Sequence, residues 1–242
     1  MRRPRILMLA WLMAPDRGSE WAAAWGMALA AARIADVVVL ASPESAAAVT
    51  AWRRHHPDIP IEAMAVEASA TWAKLLGRLV PRGFFFDYLA WLEAAGRAAR
   101  RLHRDRPVDL AVHAALGCYW LPSPVVGLGV PSMWGPVAGA TRTPPRLLPV
   151  LGLAGMLERS VERVAMAIAS RLPPTRRTMR AATQVVVESA ATLRCLPRAL
   201  ARRAPIIYRA ALTQVPDVPA RRRGRYILFP STLSPAKGGT LA

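Results

Sequence analysis

Ile6-Leu-Met-Leu-Ala-Trp-Leu12, Met13-Ala-Pro-Asp-Arg-Gly18-Ser19-Glu20 and, after a helical stretch over about 20–35, Val37-Val-Val-Leu-Ala41 are the segments on which the fold turns. An apolar run of strand length, a loop with proline, aspartate and glycine, a helix carrying Trp21, Trp25, Met27 and Leu29, and a second apolar run make one strand-helix-strand unit. The runs are continuously apolar and do not alternate, which is the pattern of parallel strands covered on both faces. Working outward, the residues predict a helix over about 44–55 and a strand over 61–66. Further strands are expected over 108–113, near 130–134 and over 184–187, with a short one over 206–208. Helices are expected near 120–127, over a long basic region of about 150–180, and after Ser189 and Thr192, whose hydroxyls suit a helix start. Alternation of this kind predicts an α/β fold with a doubly wound parallel sheet.

The 242 residues are 53% hydrophobic, ample for a core, and carry a net charge of +18. Of 33 basic residues only Lys74 and Lys237 are lysine. That balance favours a polyanionic neighbour: nucleic acid, an anionic membrane surface and nucleotide-sugar phosphates all qualify. Residues 71–104 set Leu75, Leu79, Phe84–Phe86, Tyr88, Trp91 and Leu92 among Lys74, Arg78, Arg82, Arg97, Arg100 and Arg101, which reads as one or two amphipathic helices with a basic face. Nucleic acid is not expected as a partner, because aromatic platforms and a recognition helix are lacking.

Cys118 and Cys195 stand 77 positions apart in apolar surroundings, and His55, His56, His103 and His113 show no ligand spacing, so neither a disulfide framework nor a metal is expected. The basic, apolar N-terminus resembles a leader, but Ala14 is followed by Pro15 without a good small-x-small cleavage site, and a first buried strand is the better reading. Leu110–Thr141 is long and uncharged, yet Pro122, Pro124, Pro131 and Pro136 break it, which argues against a transmembrane helix. The GxxxxGK[ST] pattern is absent, the single GxG, Gly127-Leu-Gly129, runs into Pro131, and there is no serine nucleophile elbow.

What remains is a set of features in a particular order. They are the strand, loop and Gly18-Ser19-Glu20 with Trp25; a strand ending in His113; Gly129-Val-Pro-Ser-Met-Trp134-Gly135-Pro136-Val-Ala-Gly139; a strand followed by Ser189 and Thr192; and Leu228–Gly238. In this order the chain resembles the family 4 glycosyltransferases, retaining enzymes of two facing Rossmann-like domains (the GT-B type). The resemblance implies that 1–210 is the Rossmann-like acceptor-side domain, 211–225 a basic linker, and 226–242 the first part of a donor-binding domain.

It further implies hexosyl transfer from a nucleotide sugar to a glycan or glycolipid acceptor, as in polysaccharide biosynthesis. His113 would be the catalytic-side histidine at a strand end. Gly18, Ser19, Glu20, Gly135, Pro136 and Gly139 would bind substrate, and Lys237 with Gly238 would hold the donor diphosphate. Thr232 stands where the family usually has arginine. No cofactor or metal is implied beyond the nucleotide-sugar donor. The expected location is cytoplasmic, peripheral at the inner membrane face. Because the family's nucleotide contacts lie beyond residue 242, the chain by itself is expected to be inactive. The alternative is a non-catalytic membrane-docking or binding protein that has lost the donor domain.

Overall fold

The computed structural model describes residues 2–68 and 84–208. The readings placed on 71–83 and on 211–242, including Lys237, Gly238, the basic linker and the second-domain start, lie outside the described residues.

Six parallel strands form one sheet in the order β3-β2-β1-β4-β5-β6, with β1 at Arg5–Leu9, β2 at Asp36–Ala41, β3 at Ile61–Ala65, β4 at Leu110–His113, β5 at Ser132–Val137 and β6 at Gln184–Val187. This is a Rossmann-like, doubly wound α/β architecture. Between the strands run α1 (Glu20–Ala32), α2 (Pro43–Arg53), α3 (Phe84–Asp105) and α5 (Pro173–Ala181), with the short α6 (Ala190–Leu193) and α7 (Arg198–Ala201) after β6. The described residues up to Thr141 and from Ala169 onward form one compact unit. Residues 142–168, which contain most of α4 (Gly152–Ala169), form a second and are described by themselves.

Register decides which side chains share a face, because directly paired residues of parallel strands point the same way. Ile6, Met8, Val37, Val39, Ile61 and Val112 form one core with Ala24, Trp25 and Ala28 of α1 and Val49 of α2. The intervening residues Leu7, Leu9, Leu40, Ala111, His113 and Trp134 are buried on the opposite face, and Tyr88 of α3 reaches His113 there. Continuous apolar sequence is therefore required in the central strands β1, β2 and β4, which are buried on both faces, whereas the edge strand β3 leaves Met64 and Ala65 exposed.

Local chemistry explains where the helices begin. At α2, Ser42 accepts from the Ser45 amide at 3.3 Å, Pro43 occupies the first turn, Glu44 follows it and Arg53 lies in the last turn, each matching the helix dipole or its unpaired amides. The Ser45 hydroxyl then takes the Met13 amide at 3.0 Å and donates to Trp11 O at 3.0 Å, fixing the loop after β1 against the second helix.

Several elements differ from expectation. β1 stops at Leu9, and Trp11 and Leu12 form a bend. The basic helical region over about 150–180 holds two helices, α4 and α5, separated at Ser170–Leu172, because Pro173 and Pro174 lack the amides needed to continue a helix but suit a new first turn. Prolines at 122 and 124 leave only a 3-10 turn, Pro124–Gly127, of the helix expected there. The strand over 206–208 reduces to a single bridge between Ile206 and Val187. Of the amphipathic region 71–104, the described part is one continuous helix, α3.

Candidate functional site

In an open parallel sheet the loops at the carboxyl ends of the strands gather along one edge, and side chains there can reach a common ligand. Here the chain segments after β1, β4, β5 and β6 are stitched together at that edge. The Ala114 amide donates to Leu9 O at 3.0 Å, the Ala138 amide to Gly117 O at 2.7 Å, and the Glu188 amide to Val137 O at 2.9 Å. Trp11, just past β1, stacks on Tyr88 with ring centroids 5.1 Å apart.

Gly18, Ser19 and Glu20 form the entry to α1. Gly18 is exposed, with nothing within 4 Å of where a Cβ would stand, so its space is open. Ser19 is the N-cap at φ 58°, a left-handed conformation that costs a non-glycine residue, and its hydroxyl makes no capping bond to the helix. Glu20, half-buried in the first turn, places negative charge at the positive end of the helix. Beside them Arg17 lies over the Trp21 ring at 4.4 Å and pairs with Glu44 at 2.6 Å.

His113 departs from its expected position in the cleft. It is 1% exposed, beneath α3, with both ring nitrogens engaged: Nε2 lies 2.7 Å from the Tyr88 hydroxyl and Nδ1 2.9 Å from Ser123 Oγ. One proton arrangement satisfies every group. Ser123 donates to Nδ1, Nε2–H donates to the Tyr88 oxygen, and Tyr88 donates onward to Ala115 O at 3.1 Å. Burial pushes the His113 pKa down to about 4, against a smaller upward pull from the Ala115 backbone, so the ring is neutral near pH 7. A neutral, enclosed imidazole organises the interior and does not touch solvent. Just past the strand end Ala114 and Ala115 are also buried, and the Ala115 carbonyl takes the Tyr88 hydroxyl.

Gly135 and Pro136 also lie elsewhere than expected. They belong to β5 and not to a loop after it, and both are buried. A Cβ at Gly135 would fall 2.2 Å from Val186 O, and its φ of +131° is itself glycine's territory, so this residue is needed where β5 shifts register against β6. The Gly135–Pro136 peptide is cis. Gly139 does reach the edge: it is half-buried at φ +94°, and a Cβ there would come within 3.0 Å of Trp120 Nε1.

The structure therefore places His113 in β4, Gly135 and Pro136 in the adjacent β5 and Gly139 just past β5, and leaves only Gly139 among them accessible. The Gly18–Glu20 entry joins the same edge through the loop that carries Trp11.

Side chains not foreseen from the residues complete the picture. The indole N–H groups of Trp120 and Trp134 are buried and have no acceptor among the described residues. Each lies next to a glycine, Trp120 by Gly139 and Trp134 by Gly117. Cys118 bridges to Ala138, and burial, with the charge of nearby Glu188, pushes its thiol up to about 12, so it is protonated and not a nucleophile at neutral pH. Glu188, the residue after β6, is half-buried, and desolvation raises its carboxyl above the ordinary range. The indole N–H groups are closed off from solvent, and the half-buried Glu188 carboxyl is the acceptor that the edge offers. Among the described residues no three His, Cys, Asp or Glu side chains come together as a metal site.

No protein-family model matches the chain, and no curated protein matches it. Solved structures do. The glycotransferase of kitacinnamycin is 18% identical, with 93% of this chain covered and a TM-score of 0.45. UGT89C1 of Arabidopsis thaliana, solved with UDP-L-rhamnose, is 13% identical over 86% of this chain, TM-score 0.47. The calicheamicin glycosyltransferase CalG4 is 14% identical over 86%, TM-score 0.44. The chain spans 56%, 52% and 52% of the lengths of these three proteins.

Proposed function

We propose that residues 1–210 form the acceptor-side domain of a retaining glycosyltransferase that moves a hexosyl group from a nucleotide sugar to a glycan or lipid-linked acceptor. The observation that carries this reading is the gathering of Gly139, Trp120, Cys118 and Glu188 with the Gly18–Glu20 entry along the carboxyl edge of one parallel sheet. A sugar hydroxyl needs a polar partner in a fixed position, and here the end of β6 holds the half-buried, desolvated Glu188 carboxyl. In this scheme Glu188 accepts from an acceptor hydroxyl, the open space at Gly18 admits a ring against backbone amides at the start of α1, and Lys237 with Gly238 would neutralise the leaving diphosphate. The Tyr88–His113–Ser123 chain holds β4 and its following loop in place beneath α3. His113 acts as a positioning residue, which revises its expected catalytic role.

The test is binding of the purified chain to a panel of oligosaccharides and lipid-linked sugars, read by tryptophan fluorescence. A saccharide that shifts the emission in the unaltered protein, but not in Gly139→Val or Glu188→Gln, supports the proposal. Absence of saccharide binding, or binding indifferent to both substitutions, overturns it.

A second reading, docking to an anionic membrane surface with or without catalysis, is favoured by α4. Leu153, Leu157, Val161, Val164 and Ile168 recur at helical spacing and are 58–86% exposed. Glu158, Arg159, Glu162 and Arg163 form the opposite face, where Arg159 pairs with Glu162 at 2.8 Å. Arg142 and Arg146 precede the helix, and Arg171, Arg176 and Arg177 follow it. An apolar stripe with cationic flanks is the composition of a helix that lies in a lipid interface, each arginine near the surface adding about 1 kcal/mol. No described helix is long and apolar enough to cross a membrane. Sedimentation with phosphatidylglycerol-containing vesicles that weakens at high salt is the expected result. Equal binding to neutral vesicles would contradict it.

A further inference from the structure

Away from the strand-end edge, α5, α7 and the turn before α7 enclose a concavity of about 720 Å³. Its floor is apolar, made by Met179, Leu196 and Leu200, all buried. Its rim carries Arg176, Arg180 and Arg203, with Arg171 beside them, and among the described residues no carboxylate lines it.

Arg2, Arg3, Arg17, Arg97, Arg106 and Arg159 each pair with an aspartate or glutamate. Arg176, Arg180 and Arg203 have no such partner among the described residues. Arg176 and Arg180 are one helical turn apart, a spacing at which like charges destabilise a helix. The dipole at the end of α5 offsets this for Arg180 alone, and Arg203 brings a third positive charge from a different element. Three arginines from two parts of the chain thus line one concavity with an apolar floor, and the planar guanidinium fork is the donor set that matches phosphate oxygens.

We propose that this concavity binds a phosphate-bearing ligand, with Arg176, Arg180 and Arg203 on the phosphate and the Met179–Leu196–Leu200 floor beneath its less polar part. The site is independent of the glycosyl-transfer reading, since it shares no residue with the strand-end edge.

Cys195 lines the same concavity and supplies a direct readout. The chain has two cysteines, and the other, Cys118, is held protonated by burial, so a maleimide dye at neutral pH reports Cys195. The labelling rate would be followed in the full chain at fixed ionic strength. Additions would be inorganic pyrophosphate, sodium chloride as the control, and vesicles of phosphatidylcholine with and without phosphatidic acid. The proposal expects at least five-fold slower labelling with a phosphate source, and no slowing in Arg176→Ala/Arg180→Ala/Arg203→Ala. These three arginines are exposed, so the triple variant is expected to fold, and circular dichroism checks that it does.

Protection by pyrophosphate identifies a soluble phosphate compound as ligand. Protection only by phosphatidic acid vesicles identifies a lipid phosphate. Absence of protection from either, equal protection by phosphatidylcholine alone, or protection that survives in the triple variant overturns the proposal.

Discussion

Helices α3 and α4 carry the same kind of pattern and meet opposite fates. α3 presents Tyr88, Trp91, Ala95, Ala99 and Leu102 along one side and buries all of them. α4 presents Leu153, Leu157, Val161, Val164 and Ile168 along one side and leaves every one exposed. Periodicity alone thus states that a helix has an apolar face, not what covers it. For α3 the cover is the sheet, and the Tyr88 hydroxyl meets His113 Nε2 and Ala115 O there. For α4 the stripe is available to a partner, and the lipid surface proposed above is the one its cationic flanks suit.

The largest expected contrast is in stability. Trp91→Ala opens a large cavity under α3 and should cost about 3–5 kcal/mol, measured by urea unfolding. Leu157→Ala on α4 should stay within about 0.5 kcal/mol. Equal costs at the two positions would break the comparison.

The next is pH. His113 has its folded-state pKa lowered from 6.5 to about 4, so between those values the unfolded chain binds a proton that the folded one refuses. Its contribution is complete above pH 6.5 and is lost as pH falls toward 4. At about 1.4 kcal/mol per unit the loss reaches about 3 kcal/mol. Urea titrations across this range should show that fall in the unaltered protein and a shallower one in His113→Gln.

Tyr88→Phe should cost about 1–3 kcal/mol, because it strands the Ala115 carbonyl and one His113 nitrogen in the interior. A neutral result would mean that the chain of hydrogen bonds under α3 is not formed. The smallest stability effect is expected from Leu157→Ser/Val161→Ser, near zero, while vesicle binding should fall about ten-fold, as the loss of about 1.4 kcal/mol of apolar contact implies. A stability loss comparable to Tyr88→Phe would show that α4 is covered within the protein.

The sheet was legible because its determinants are local: runs such as Ile6–Leu9 and Val37–Ala41 are long enough, and apolar enough throughout, to exclude an exposed face. The Ser42–Pro43–Glu44 start of α2 was equally local. The site was harder to read because its geometry depends on residues far apart in the chain. Nothing near His113 announces that Tyr88, 25 positions earlier, and Ser123, 10 later, will take its two nitrogens. Gly135 carries the same lesson in reverse. A glycine between an apolar strand and a proline reads as a loop, yet it is demanded by the Val186 carbonyl on the adjacent strand. Glu188 was overlooked because a lone acidic residue after a strand is ordinary until burial shifts its proton affinity.

The central claim is that one amphipathic helix is sealed by the fold and the other is kept for an external surface. Amide hydrogen exchange of the full chain, with and without phosphatidylglycerol vesicles, tests it most directly. The account predicts slow exchange of α3 under both conditions, and exchange in α4 that is fast in the free protein and slowed by the vesicles. Protection of α4 equal to that of α3 without lipid, or exchange in α4 unchanged by the vesicles, would contradict it.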